Sequence, residues 1–509
     1  MPSVSDPADW VDDAARRHPQ DVFLRTPDGT EGPYAALRER TGRFITALRR
    51  GGVTAGDRVA VQVEKCADAV FLYVACLRLG AVFVPINVAN TAAEVGYFLR
   101  DCEPRLLVGR PSDRETLELL AKQASVRWLE TLGPAGDGSL SERLMQCDAD
   151  EAQRSHDAAA PAAIVYTSGT TGRSKGAMLT RANLASNAAA LVEAWRFTAR
   201  DVLLHTLPLF HVHGLFAALN TVLASASSLV LMPKFDALQA LAMLPRVSVF
   251  MGVPTHYTRF LKEPALDRNV TRNVRLFVSG SAPLTAATHG EFLERTGHTI
   301  LERYGMTETL MNTSNPYDGA RIAGSVGPAL PGVSVRVAGG AGSGGVDAGE
   351  IGMLEVRGPN VFAGYWRDPE KTRAEFTADG WFKTGDLGRI DAAGYVFIVG
   401  RAKDLVISGG YNVYPKEVEL EIDAVAGVLE SAVFGVPHPD LGEGVTAAIV
   451  LKPGAEIAVE DVIRAVKSRL AGYKVPKRIV VIDELPRNTM GKVQKNLLRA
   501  DYASLYSGA

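Results

Sequence analysis

The stretch Tyr166 to Leu179, YTSGTTGRSKGAML, gathers hydroxyls, three glycines, an arginine and a lysine between apolar neighbours. Thr167, Ser168, Thr170 and Thr171 can donate hydrogen bonds, Gly169 lets backbone N–H groups approach an anion, and Lys175 can neutralise charge. That is the composition of a phosphate cradle, but not of a Walker loop. The Walker spacing is Gly-x-x-x-x-Gly-Lys-Ser/Thr, whereas the residue five after Gly169 is Ser174 and Gly172 is already placed. On composition alone a plain flexible turn is an equal reading. Three further residues have side chains suited to the same chemistry. Glu308, in a Thr-Glu-Thr segment after Tyr304 and Gly305, could hold Mg2+, a hard cation that takes oxygen ligands and bridges phosphates; the alternative is a solvated glutamate at a helix start. Asp386, after Thr384 and Gly385, could accept hydrogen bonds from paired hydroxyls or simply form a turn. Lys492 follows Gly491, whose backbone freedom could bring an ammonium against a compact charge, although most lysines are surface lysines.

These residues need a scaffold, and the periodicity supplies one. From Tyr34 to Val108 helical patterns such as YAALRERTGRFITALRRGG alternate with short apolar runs, RVAVQV, AVFVPI and RLLVG, as in an α/β sheet. The rhythm resumes with AAIVYTS, DVLLHTLPL, SSLVLMP, VSVFMGVP, RLFVSG and HTILERYG, continuous runs suited to parallel strands covered on both faces. From Gly327 to about residue 400 glycine, valine and turn signals predict a strand-rich, barrel-like subregion, with Gly339 to Gly345 as a loop tip. After it, helix KEVELEIDAV, strands SAVFGVP and VTAAIVL, helix VEDVIRAVKSRL and strand RIVVI predict a compact α+β unit. The expected organisation is therefore a large α/β body over 1–400, a junction at 401–404 and a smaller α+β domain over 405–509.

Composition narrows the class. At 509 residues, with 47% hydrophobic and 22% charged residues, the chain has the make-up of a multidomain globular protein. Its 55 Lys and Arg against 57 Asp and Glu give no broad attraction for nucleic acid or anionic membrane. Cys66, Cys76, Cys102 and Cys147 have neither disulfide-framework density nor zinc-ligand spacing, which suggests a reducing cytoplasm. The acidic start MPSVSDPADW lacks a signal-peptide pattern. Ala69–Ile86 and Leu215–Pro233, the longest apolar stretches, are interrupted by Arg78 and Gly80 and by Asn220 and serines, and read as helix–strand pairs rather than membrane spans.

YTSGTTGRSKGAM resembles the signature of the adenylate-forming superfamily of acyl-CoA synthetases, luciferases and peptide-synthetase adenylation domains. Four more blocks resemble it in order: LERYGMTET, GWFKTGDLG, GRAKDLVISGGYNVYPKEVE and PRNTMGKVQK. The resemblance spans essentially the whole chain and implies ATP, Mg2+ and coenzyme A as cofactors. It implies that Thr167 to Thr171 and Lys175 hold the β- and γ-phosphates, Ser281, Ala282, Pro283 and Tyr304 the adenine, and Asp386 and Arg401 the ribose. Glu302 and Arg303 are expected beside Tyr304 at the nucleotide, Thr307 at the α-phosphate and Glu308 at the metal. Lys492 is expected to stabilise the α-phosphate and the attacking carboxylate, and a lysine acetyltransferase and deacetylase acting on it are implied partners. Lys403 is implied as a hinge whose rotation replaces Lys492 by Ser408, Gly409 and Gly410, admitting the CoA thiol. The local alternative is an ordinary interdomain turn.

VPTHYTRF, SGSAPL and RYGMTETLMNTSNPYDG are most similar to malonyl-CoA synthetases, which implies malonate, and often methylmalonate, as the acid. Arg259 could then pair bidentately with the carboxylate that does not react, with His211 narrowing the pocket floor, and Ser281 and Met306 beside the acid. By composition Arg259 reads as a helix-surface arginine, and His211 and His213 as packing around a strand-to-helix turn, with no third ligand for zinc. The rivals are a ligase for another aliphatic or aromatic monocarboxylate, a module loading a carrier protein, and a silent acyl or nucleotide sensor. No carrier domain is expected after Ala509, and Lys175, Glu308, Asp386 and Lys492 speak against a sensor. Nothing positive supports luciferase-like oxygenation.

Overall fold

Each apolar run expected as a strand is one in the computed structural model, which describes residues 6–167, 174–339, 348–488 and 491–506. The chain forms two compact units. Met1–Ala323, Gly327–Ser334 and Val356–Phe382 make the first; Gly324–Val326, Val335–Glu355 and Lys383–Ala509 make the second.

The first unit holds two large, mostly parallel sheets. One has seven strands with Pro161–Thr167, Val82–Pro85, Arg58–Gln62, Leu106–Gly109 and Trp128–Thr131 as its parallel part, and Lys175–Thr180 and Gly364–Tyr365 added antiparallel at the other edge. The other has eight, with Leu301–Met306, Leu276–Ser279, Val249–Gly252, Val202–His205 and Ser228–Leu231 running side by side. Their apolar runs do not alternate because helices cover both faces. Helix Ala67–Leu79 shows why: it is buried nearly all round, Tyr73 packing on Phe83 of the seven-stranded sheet and on Phe216 beyond the other. Gly80, left-handed at φ 79°, ends it and turns the chain into the next strand. The stretches Ala69–Ile86 and Leu215–Pro233 are thus helix–strand pairs, and among the described residues no helix is long and apolar enough to cross a membrane.

Parallel strands leave a sheet at one common edge, where α/β folds collect their binding loops. The chain exits there after His205, Gly252 and Ser279, and strand Leu301–Met306 joins the same set before turning back antiparallel through Leu310–Ser314.

The second unit contains the strand-rich stretch as a four-stranded sheet, Ser334–Ala338, Gly352–Arg357, Phe382–Ile390 and Val396–Arg401. The proposed loop tip at 340–345 lies outside the described residues. Residues 401–404, expected as the hinge, are the end of the last of these strands and a tight helical turn, Ala402–Asp404. Beyond them comes the α+β sheet. Its long antiparallel pair Val428–His438 and Gly442–Leu451 sends Val433, Val445, Ala447 and Ile449 to one face, against helices Pro415–Asp423 and Val459–Lys467. The alternate residues Ala432, Phe434 and Ala448 pack on Leu498 of helix Lys495–Asp501, as the period of two requires.

Candidate active site

In the first unit, strands Pro161–Thr167 and Lys175–Thr180 are antiparallel, and Thr167 pairs with Lys175 as the last rung before the cradle. Ser168, Gly169, Thr170 and Thr171 lie outside the described residues. The two flanking side chains meet the second signature. Thr167 Oγ1 lies 3.5 Å from Glu308 Oε1, Tyr365 donates its hydroxyl to the same oxygen at 3.1 Å, and Lys175 Nζ stands 5.5 Å over the Tyr365 ring. Burial lowers the Lys175 pKa, as does nearby Lys371, while Glu375, Asp368 and Glu308 oppose the shift. Burial and then Glu308 hold the Tyr365 phenol well above its usual value.

Glu308 is not at a helix start. It sits in the tight turn between strands Leu301–Met306 and Leu310–Ser314, and is 6% exposed. Gly305 permits that hairpin, because a Cβ there would lie 1.9 Å from the Leu310 carbonyl oxygen. Tyr304, Met306 and Thr307 line the same turn, half-buried. Tyr365 was not singled out in the sequence; it arrives because the short strand Gly364–Tyr365 pairs with Met178 and Ala177 beside the cradle. An oxygen-rich set of carboxylate and hydroxyls is the donor chemistry that suits Mg2+. Among the described residues no group of three or more His, Cys, Asp or Glu could itself hold a metal.

Ser281 follows the end of strand Leu276–Ser279 in the left-handed region, φ 71°, and its hydroxyl lies 3.2 Å from His213 Nδ1. Ala282 is half-buried and Pro283 exposed. Strain in a non-glycine residue at a strand end is common in functional loops. His213 opens a π-helical turn, His213–Leu219, and its backbone N–H donates to His211 Nδ1 at 3.2 Å. His213 Nε2 is buried with no hydrogen-bond partner among the described residues.

Around His213 the structure gathers basic groups that the sequence scatters. Its pKa is pushed well down by burial, then by Arg303, His211, His256 and His205. His256, stacked on Phe235 at 3.8 Å, is pulled down to about 3 by burial, then by Arg259 and Lys65. His205 is likewise near 3, by burial and then Lys65, whose buried ammonium donates to the His205 carbonyl at 2.7 Å. Arg259 itself is exposed in the last turn of helix Pro254–Lys262.

Arg303 is 3% exposed, and its Nε and Nη2 are buried with no acceptor among the described residues. Burial alone lowers its pKa to about 9. Its guanidinium occupies the space a side chain at residue 280 would need, 2.5 Å from an ideal Cβ on Gly280. Sequence reasoning placed Arg303 at the nucleotide with Glu302; the structure brings it to Gly280 and His213, while Glu302 is buried with its carbonyl accepting from Asn315. No local pattern links Gly280 to Arg303, which become neighbours because their strands are adjacent in the sheet.

The second unit arranges the rest. Asp386 and Arg401 are paired across strands Phe382–Ile390 and Val396–Arg401 and form an ion pair at 2.7 Å, Asp386 being 4% exposed. Gly385, at φ 72°, and a hydrogen bond from the Asp386 N–H to Thr384 Oγ1 shape the turn before the carboxylate. Lys403 is exposed. Gly409 and Gly410, at φ 58° and 81°, form the two-residue turn of a hairpin in which Ser408 is buried and pairs with Tyr411.

The Lys492 loop is clamped at its backbone. Lys492 N–H donates to Asn488 Oδ1 and the Asn488 N–H to the Lys492 carbonyl, both at 3.0 Å, and Arg487 Nη1 donates to the Gly491 carbonyl at 2.6 Å while pairing with Glu430. By surface area the Lys492 side chain is exposed, yet its ammonium is crowded enough for burial to lower its pKa, with Arg401 adding to the shift and Asp386 opposing it.

Three comparisons with known proteins cover the chain as a whole. The AMP-binding enzyme family matches residues 11–366, and the AMP-binding enzyme C-terminal domain matches residues 417–492. A malonate–CoA ligase of Arabidopsis thaliana is 36% identical over 483 residues, covering 88% of this chain and 78% of that protein. An indoleacetate–CoA ligase of Aromatoleum aromaticum is 34% identical, covering 97% of each. The ATP-bound crystal structure of MatB from Rhodopseudomonas palustris superposes with a TM-score of 0.95 at 51% identity, over 99% of this chain and 100% of that one. With one family model matching residues 11–366 and its C-terminal partner matching 417–492, this chain belongs to the AMP-binding enzyme family.

Proposed function

We propose that this chain is an AMP-forming malonate–CoA ligase that also takes methylmalonate. A carboxylate oxygen of the acid attacks the α-phosphorus of ATP and the Pα–O bond to pyrophosphate breaks, giving an acyl-adenylate. The CoA thiol then attacks the acyl carbon, loses its proton, and displaces AMP. The first step needs no protein base, because a carboxylic acid is already ionised at neutral pH.

The observation that carries the choice of acid is the buried guanidinium of Arg303, whose Nε and Nη2 have no acceptor among the described residues, within a cluster of basic groups. An isolated buried charge costs several kcal/mol, roughly, unless an anion joins it. A dicarboxylate brings that anion as the carboxylate that does not react, whereas a monocarboxylate would set an apolar tail against the charge. Arg303 takes the distal carboxylate with Ser281 and His213, His211 narrows the floor, and Arg259 supplies positive charge at the exposed side. The relatives named as malonate–CoA ligases and MatB support this reading.

Thr167 and Lys175 serve the leaving phosphates, and Thr307 the α-phosphate. Glu308 with Thr167 would hold Mg2+, which when bound neutralises phosphate charge. Asp386 and Arg401 orient the ribose. Lys492 offers its ammonium to the transition state of the first step, and rotation about Lys403 brings Gly409 and Gly410 forward for the second. The even charge balance and four free cysteines support a cytoplasmic setting, and the exposed Lys492 is a target through which acetylation would silence adenylation. Product analysis tests the proposal: ATP, malonate and CoA should yield AMP, pyrophosphate and malonyl-CoA in equal amounts, and ADP with phosphate would refute it.

A further inference from the structure

Three adjacent parallel strands of the seven-stranded sheet, Arg58–Gln62, Leu106–Gly109 and Trp128–Thr131, begin with an arginine or directly after one. Val59 is in register with Leu106, and Leu106 with Trp128, so the residues before them, Arg58, Arg105 and Arg127, form a row across the sheet. The Arg105 N–H donates to the Arg58 carbonyl at 2.8 Å, which fixes that register at its end. Strands lie about 4.8 Å apart, and like charges in register repel. Arg100, from the last turn of helix Ala92–Cys102, adds a fourth guanidinium, and together they line an open pocket of about 500 Å3. This is the end of the sheet where these strands start, opposite the edge at which the catalytic loops leave.

The acids in the pocket are turned to other work. Glu103 gives both carboxylate oxygens to Arg367, at 2.8 and 2.6 Å, and Asp57 accepts from the Thr54 N–H and hydroxyl, each at 2.8 Å. Arg58 is held by backbone carbonyls of Cys102 and Glu103. Among the described residues Arg100, Arg105 and Arg127 have no acidic partner, and Arg105 Nε is buried without an acceptor. Forked guanidiniums spaced along a row match an anion with several charged oxygens spread over its length, and Arg pairs with phosphate bidentately.

We infer that this arginine row is a second anion site, separate from the catalytic edge, which binds a polyphosphate group. The ligand is either inorganic polyphosphate or the phosphate end of a nucleotide. The inference does not depend on which acid the enzyme activates.

Calorimetric titration of the full chain with inorganic tripolyphosphate, and separately with ADP, tests it. R105Q/R127Q should bind one fewer molecule per chain than the wild type. Without ligand this variant should melt at or above the wild-type temperature, because it lacks the repulsion, and tripolyphosphate should raise its melting temperature less. Should the double variant fold poorly, R127Q, which changes an exposed residue, should weaken the second site about tenfold. Loss of a tripolyphosphate site identifies an inorganic ligand; loss of an ADP site alone identifies a nucleotide. Equal stoichiometry and affinity in wild type and variants for both probes would overturn the inference.

Discussion

Replacing Arg303 by methionine removes an unpaired buried charge from the empty enzyme and a counter-ion from the bound acid, and the two effects have opposite signs. The free protein should melt at a higher temperature, since an uncompensated buried charge is lost and apolar contact replaces it. Malonate turnover should fall in kcat/KM by about 30- to 1000-fold, the range for truncating one partner of a buried charge pair, while the KM for ATP stays within about twofold. A merely structural arginine would give the reverse, a less stable enzyme with unchanged selectivity. Arg259→Ala should cost less, about tenfold or below, because its guanidinium is exposed to solvent. Single residues of this kind are where the sequence was least informative. Glu308 and Asp386 were legible because their motifs are local, but the nearness of Arg303 to Gly280 and His213, and of Tyr365 to Glu308, is made by pairing between distant strands.

At the scale of elements, two glycines separate folding from selection. In Gly305→Ala the new Cβ meets the Leu310 carbonyl, a backbone atom that cannot swing away, so the hairpin carrying Glu308 must shift at a cost of about 1–3 kcal/mol, read by chemical denaturation. In Gly280→Ala the obstacle is the tip of the flexible Arg303 side chain; stability should change little, while the KM for malonate rises about tenfold or more as the guanidinium is displaced. The Lys492 loop is a third such case. Arg487→Met frees the Gly491 carbonyl and strands Glu430. Malonate-dependent pyrophosphate release should drop by roughly tenfold or more, while conversion of supplied malonyl-AMP to malonyl-CoA is kept. General unfolding would lower both. The elements themselves were readable in the sequence because continuous apolar runs, helical periodicity and glycine turns are local signals. The hairpin at Glu308 was misjudged as a helix start in one of its readings, because its turn is shaped by the left-handed Leu310 and the close approach at Gly305 rather than by a turn dipeptide.

For the whole molecule, the basic cluster makes stability depend on acid. His205 and His256 have pKa values near 3 in the folded chain against about 6.5 unfolded, so between those values the unfolded state binds protons that the folded state does not. Their contribution is fully present above about pH 6.5 and is lost as pH falls toward 3, with a slope of about 1.4 kcal/mol per pH unit for each histidine. Denaturation followed from pH 7 to 4 should show that loss, and His256→Phe, which keeps a ring against Phe235, should flatten it. The division into an α/β body and a smaller α+β unit followed from the switch in periodicity, but the strand-rich sheet joins the second compact unit, a matter of long-range packing that no local pattern records. The central claim is that this protein joins malonate to CoA through an adenylate and selects the acid by its second carboxylate. Pyrophosphate release measured over a panel of mono- and dicarboxylic acids, with and without CoA, in wild type and Arg303→Met, tests it most directly. Malonate should lead the wild-type panel and lose that lead in the variant; a monocarboxylate leading in the wild type, with malonate turnover untouched by the substitution, would contradict it.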